Sequence, residues 1–263
     1  MNHSIIHAFD FDGVICDSAV ETAITGWKAA GLIWQDMPAE TPRTLVDRFR
    51  QVRPIIETGY EAILAMRLLF LGESCEAIYE HYQDKIQQLM EQAQIGVDEL
   101  KKHFGDTRDQ WIDSDLDSWI AMNPLFPNVA ETLQNLGQTN IWYVITTKQE
   151  RFVKQILKAN AIELAGERIF GLDRNLSKPD VLKMLRQAHP GHPLQFTEDR
   201  LPTLVNVKKH PDLADVKLLF ALWGYNTGED KLQASQQGFT TLELEAFSVQ
   251  HSPSGPQSAV MSV

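Results

Sequence analysis

The densest chemistry in the sequence lies near its start, at Asp10-Phe11-Asp12-Gly13. These residues follow Ser4 to Phe9 (Ser-Ile-Ile-His-Ala-Phe), a short apolar run that reads as a strand buried inside a parallel sheet. Acids at i and i+2 stay on one side only if the strand continues; here it stops, and the turn that Gly13 permits lets both carboxylates face one pocket. Two adjacent anions repel and invite a cation or a shared proton. Oxygen donors of this kind suit Mg²⁺. A carboxylate can also attack phosphorus and give an aspartyl-phosphate that water hydrolyses. The same residues fit a loop leading into a helix, with Asp17 or Ser18 as its N-cap.

Three later positions join them. Thr146 ends the strand-like run Ile141 to Thr146, Lys178-Pro179 opens a helix, and Glu198-Asp199 follows the short apolar run Leu194 to Thr197. Each has a plain reading: Thr146 as the cap of a helix that begins near Lys148, Lys178 as a solvated lysine, Asp199 as a turn residue. Their order at successive strand ends singles them out.

Taken together, Asp10 to Ser18, Tyr-Val-Ile-Thr-Thr-Lys ending at Lys148, Lys178-Pro179 and Glu198-Asp199 resemble, in order, the four motifs of the haloacid-dehalogenase-like (HAD) hydrolases in their phosphatase form. Leu125 to Val129 resembles the segment that re-enters the core of such proteins from an inserted cap. Trp223-Gly224-Tyr225 is similar, over a short stretch, to the phosphoglycolate-phosphatase branch. The resemblance implies Asp10 as nucleophile and Asp12 as the acid and base that serves the leaving oxygen and then the water. It implies Mg²⁺ held by the Asp10 carboxylate, the Asp12 backbone carbonyl and Asp199. Thr146 would donate to a phosphoryl oxygen, and Lys178 would offset the charge of Asp10 and the phosphoryl group.

The sequence departs from that pattern at three places. Thr147 stands where Asn is usual, which bears on substrate contacts. Glu198 stands where Gly is usual. Thr203 stands where a second acid usually follows Asp199, so the expected Mg²⁺ affinity is lowered but not lost.

Between the first two motifs, residues 18–122 carry helical spacing and almost no strand signal. Ile63, Leu64, Met66, Arg67 and Leu68 mark one helix; Ile78, Tyr82, Ile86, Leu89 and Met90 mark another. The resemblance makes this insert a helical cap that closes over the site and favours small substrates. Within it, Arg43, Arg48, Arg50 and Arg53 read either as a solvated face paired to Asp47 and Glu57 or as a seat for a second anionic group. Arg53 is the first choice for such a seat, because Pro54 and Gly59 place it on a loop.

After the insert, strand and helix alternate: helices over Asn128 to Leu136, Gln149 to Ala159, Pro179 to Ala188 and Leu201 to Lys208, and strands over Ile141 to Thr146, Arg168 to Gly171, Leu194 to Thr197 and Lys217 to Trp223. That pattern predicts an α/β fold, a Rossmann-like parallel sheet core with helices on both faces and an all-helical cap inserted after the first strand. The expected domains are 1–17 with 123–250 as core and 18–122 as cap, with 251–263 a disordered tail.

The bulk composition narrows the function. A net charge of −11 argues against a nucleic-acid partner, though not against a small anion in a local positive pocket. No apolar run reaches the roughly 18 residues of a membrane span. Two cysteines, Cys16 and Cys75, make no disulfide framework and no metal spacing, as in a reduced cytoplasmic protein. The expected activity is a Mg²⁺-dependent phosphatase acting on a small phosphorylated metabolite, as a monomer or homodimer. A phosphomutase-type transferase and a catalytically weak binding protein on the same fold are the alternatives.

Overall fold

The structure is a computed structural model and describes residues 4–250; the tail expected at 251–263 lies outside the described residues. Strand β1 (Ile6–Phe9) is buried along its whole length, because it pairs in parallel on both edges. One neighbour is β2 (Ile141–Ile145). The other is β4 (Leu194–Glu198), which follows β3 (Ile169–Phe170) in the chain. With β5 (Lys217–Ala221) and β6 (Thr240–Leu242) they form one all-parallel sheet, ordered β3-β2-β1-β4-β5-β6. Strand order reverses at β1, so the crevice for a ligand opens beyond the carboxyl ends of β1 and its neighbours, where Asp10 leaves the sheet.

After β1 the chain leaves the sheet for six helices: α1 (Ala19–Ile33), α2 (Arg43–Val52), α3 (Glu61–Phe70), α4 (Cys75–Ala93), α5 (Val97–Ser114) and α6 (Leu116–Ala121). The first five share an apolar core of their own, around Trp27, Phe49, Leu64, Met66 and Phe104. Nearly every residue of α3 is buried, which is why its apolar positions crowd together instead of forming one stripe. Arg53, expected on a loop, opens a short 3₁₀ turn (Arg53–Ile55) after α2.

The remaining helices cover the sheet: α7 (Val129–Thr139), α8 (Glu150–Ala159), α9 (Lys178–Ala188), α10 (Leu201–Lys208), α11 (Gly228–Gln236) and α12 (Leu244–Gln250). Alternation along β1 sends successive side chains to opposite faces. On one face Phe9 shares a core with Leu133 and Leu136 of α7 and with Phe152 and Ile156 of α8. On the other, Ile6 and Ala8 share a core with Val181 and Leu185 of α9 and Leu204 of α10.

A buried ion pair lies where the insert meets the sheet side. Glu21 of α1 is fully buried and takes two bonds from Arg108 of α5, Nε to Oε1 at 2.8 Å and Nη2 to Oε2 at 2.6 Å. Thr25 and Trp119 also donate to Oε1, and the guanidinium lies over Phe104 of the insert and Phe152 of α8. Breaking such a pair leaves a buried charge uncompensated, so Arg108→Met is expected to cost about 3–5 kcal/mol in denaturant unfolding. Burial pushes the Glu21 carboxyl up, but Arg108, helped by Lys148 and Thr25, outweighs it and holds it below the ordinary value. A depressed folded pKa means the contribution is present above the unfolded value of about 4.3 and is lost as pH falls through the folded one. Without Arg108, burial raises the Glu21 carboxyl instead, so the stability gap between wild type and Arg108→Met should narrow steadily as pH falls from neutral into the acid range.

Candidate active site

The site is built where five strands, β1 to β5, end. Beyond β1, Asp10 donates its backbone N–H to Thr197 O at 2.9 Å, and Gly13 turns the chain at φ +90°. A Cβ on Gly13 would lie 2.1 Å from Asp199 Oδ2, and one on Gly224 would lie 2.4 Å from Gly13 O. Only glycines allow the loops after β1, β4 and β5 to approach this closely. The close approach fixes Asp199, whose Oδ2 accepts the Tyr225 N–H at 2.6 Å.

Lys178 stands in the first turn of α9, after its N-cap Ser177. Its Nζ lies 2.6 Å from Glu198 Oε2 and 3.0 Å from Asp10 Oδ1. Asp10, Glu198 and Asp199 are all buried and close enough to share one ion. Glu198 is already engaged, since its other oxygen accepts the Arg200 N–H at 3.0 Å. Asp199 Oδ1, by contrast, is buried without a hydrogen bond. Asp10 Oδ1 is buried as well and meets only the Lys178 ammonium, as an ion pair. Two carboxylate oxygens left in this condition fit a small hard cation. Burial drives the Asp10 carboxyl up to about 7, with Lys178 opposing and Glu198 and Asp12 adding to the rise. Burial, Glu198 and Asp10 push Asp199 well up too.

Asp12 is held differently. Its Oδ1 accepts from the Ser18 hydroxyl and from Lys148 Nζ, the latter at 2.9 Å. Burial would raise its carboxyl, yet Lys148, Arg53 and Ser18 together bring it down to about 2. Ser18 is thus turned to Asp12 and makes no side-chain cap on α1. Thr146 is not a helix cap either: its Oγ1 accepts the Lys148 N–H at 3.1 Å, and α8 starts later, after Gln149.

Asp10, Asp12, Arg53, Thr146, Thr147, Lys178 and Asp199 all line one cavity of about 500 Å³. The strand ends form its floor, and Arg53, Ile56 and Glu57 of the insert form its roof. Thr147 lines it, but its hydroxyl donates to Glu57 O at 2.9 Å. Arg53 is buried with its guanidinium 4.3 Å from the centre of the Tyr225 ring, whereas Arg50 reaches out to Asp17 on the surface. Thr203 lines the cavity from the first turn of α10.

Sequence reasoning passed over Lys148 and Arg200. A lysine after a strand and an arginine after an acid look like surface residues; their position beside Thr146 and Asp199 was the available signal.

No protein-family model and no curated protein matches the chain. Solved structures do. A haloacid dehalogenase-like family hydrolase from Streptococcus pneumoniae is 16% identical with a TM-score of 0.55, covering 95% of this chain and 98% of its own. A predicted phosphoglycolate phosphatase from Haemophilus somnus is 17% identical with a TM-score of 0.57, covering 94% and 96%. A predicted phosphatase from Clostridium acetobutylicum is 16% identical with a TM-score of 0.56, covering 94% and 98%. The chain has the HAD-like fold. The insert between β1 and β2 and the segments after β1, β2, β3, β4 and β5 all contribute to the lining of the cavity. No described helix is long and apolar enough to cross a membrane.

Proposed function

We propose that this protein is a Mg²⁺-dependent phosphatase that hydrolyses a small phosphorylated metabolite through an aspartyl-phosphate on Asp10. The observation that carries the reading is the buried Asp199 Oδ1 that makes no hydrogen bond, set beside Asp10 Oδ1 and Lys178 in one cavity. Asp10 and Asp199, with the Asp12 carbonyl, would hold Mg²⁺, which when bound supplies positive charge to the phosphoryl oxygens.

In the first step an Asp10 carboxylate oxygen forms a bond to phosphorus as the bond to the leaving oxygen breaks. Lys178 keeps Asp10 in place and offsets charge on the transferring group; the Thr146 hydroxyl donates to a phosphoryl oxygen. Asp12 gives the leaving oxygen its proton. It must gain that proton against Lys148, so this role requires the pair to loosen. In the second step water attacks phosphorus, Asp12 takes the water's proton, and phosphate leaves with Asp10 restored. Taking a proton matches the resting, charged state of Asp12. The insert acts as the cap, and closure over the floor excludes water and limits substrates to small molecules.

The reading extends to a cytoplasmic protein, monomeric or homodimeric, without a nucleic-acid partner. It is tested by screening phosphorylated metabolites for free phosphate with Mg²⁺ and with chelator. Turnover of at least one compound, abolished by chelator, is expected. No release above background with any compound contradicts it.

A further inference from the structure

The cavity is divided across the sheet. Toward β4 and β5 its lining is charged or hydrogen-bonding, with Asp199, Arg200 and Tyr225. Toward β2 and β3, Lys178 is the sole charge among the described lining residues, and Asp10 and Glu198 engage it. The wall on that side is apolar. Ile145 and Phe170, register partners at the ends of β2 and β3, line it together with Leu172, Leu176 and Pro179. The loop after β3 turns its own charges away: Asp173 Oδ2 accepts the Glu150 N–H at 2.7 Å, and Arg174 donates to Glu150 Oε1 and, at 2.9 Å, to Gly166 O. A Cβ on Gly171 would lie 2.7 Å from Lys148 O, so this loop packs directly on the one after β2. The ties fix Leu176 at the cavity mouth with 43% of its surface exposed. The wall starts beside the groups that would hold the phosphoryl group, since Thr146 follows Ile145 and Lys178 lies two residues after Leu176. A few polar groups that fix orientation beside a larger apolar surface is the usual make-up of a small-molecule site.

We propose that the leaving group of the substrate is an apolar alcohol, whose hydrocarbon arm lies along Leu172 and Leu176 while its phosphoryl group sits at the end of β1. This rests on the phosphatase reading of the same cavity. Leu176 is then a specificity-determining residue. An arm laid there takes apolar surface of both partners out of water. A polar arm loses its own hydration and meets no donor or acceptor on the side chains of Leu172, Leu176 and Pro179.

The test is calorimetric binding of three phosphonates to the Mg²⁺-loaded protein: ethylphosphonate, hexylphosphonate and 5-hydroxypentylphosphonate. None is hydrolysed, so the readout does not need turnover. Four added methylenes would tighten binding about 200-fold if fully buried, and about 15-fold on a wall open to water on one side, which is the hexyl-to-ethyl ratio expected of wild type. The hydroxypentyl compound, equal in length to hexyl, should bind several-fold more weakly than hexyl. Leu176→Asn alters an exposed side chain and leaves the fold alone; it should cut the ratio to a few-fold. Met184→Asn alters an equally exposed side chain of α9 that does not line the cavity, and should leave the ratio unchanged. A wild-type ratio near one, no binding of any of the three, hydroxypentyl binding as tight as hexyl, an unchanged ratio in Leu176→Asn, or an equal loss in Met184→Asn overturns the proposal. Phosphate release from metabolites without the chain preference refutes the apolar arm alone; the preference without phosphate release refutes the phosphatase reading and leaves the apolar wall as a binding surface.

Discussion

Asp10→Asn is expected to lower phosphate release by about 10⁴-fold or more, because an amide oxygen cannot replace the carboxylate as nucleophile. The fold should survive. Asp10 is buried beside Glu198 and Asp199, and its charge is opposed by burial itself. Removing that charge relieves repulsion, so the melting temperature without metal should stay level or rise. The contrast between lost turnover and kept stability separates a chemical role from a structural one. Retained activity in Asp10→Asn, measured as initial rates on para-nitrophenyl phosphate, contradicts the assignment.

Lys178→Met should fail in both respects. Lys178 is the cation between Asp10 and Glu198, and those two hold it strongly charged despite its burial. Without it three buried carboxylates, Asp10, Glu198 and Asp199, face one another. Loss of one partner of a buried pair costs about 3–5 kcal/mol, which denaturant unfolding without metal would read. Turnover should fall by about 10²–10³-fold, the scale of losing one electrostatic contact to a transition state. Full stability in Lys178→Met would mean that the carboxylates hold a shared proton or rearrange, and that Lys178 does not organise the site.

These two residues were legible in the sequence, and so was most of the sheet. The interior strands are short apolar runs followed by acids or hydroxyls, a pattern that survives without any neighbour to explain it. Strand β6 was not read, since Thr240-Thr241-Leu242 is a sheet edge with two exposed residues and little hydrophobic signal. Helix α11 was missed for a related reason: it buries only Ala234 and so has no apolar stripe to detect. The strand expected to run on to Trp223 ends at Ala221, because Gly224 must turn to meet Asp199.

At the site, the spacing identified the carboxylates but not their different states. Asp10 and Asp12 are separated by one residue, yet burial and neighbouring acids raise one while Lys148, Arg53 and Ser18 lower the other. Lys148 reaches Asp12 across 136 positions and Arg108 reaches Glu21 across 87, and no local pattern encodes such pairings. Long charged side chains are ambiguous in a sequence because their heads can lie in water or return to a buried partner. Arg53 was singled out from four arginines only through the Pro54 break. Its contact with Tyr225 depends on how the insert sits over the sheet.

The central claim is that Asp10 carries the phosphoryl group between the two halves of the reaction. The direct measurement is to react the Mg²⁺-loaded protein with a ³²P-labelled phosphomonoester and quench in acid within one turnover. The protein is then digested with pepsin while still acidic, which spares an acyl phosphate, and the label is mapped by mass spectrometry. The account predicts label on the peptide that contains Asp10, lost in Asp10→Asn. Phosphate released with no label on the protein, or label on any other residue, would contradict it.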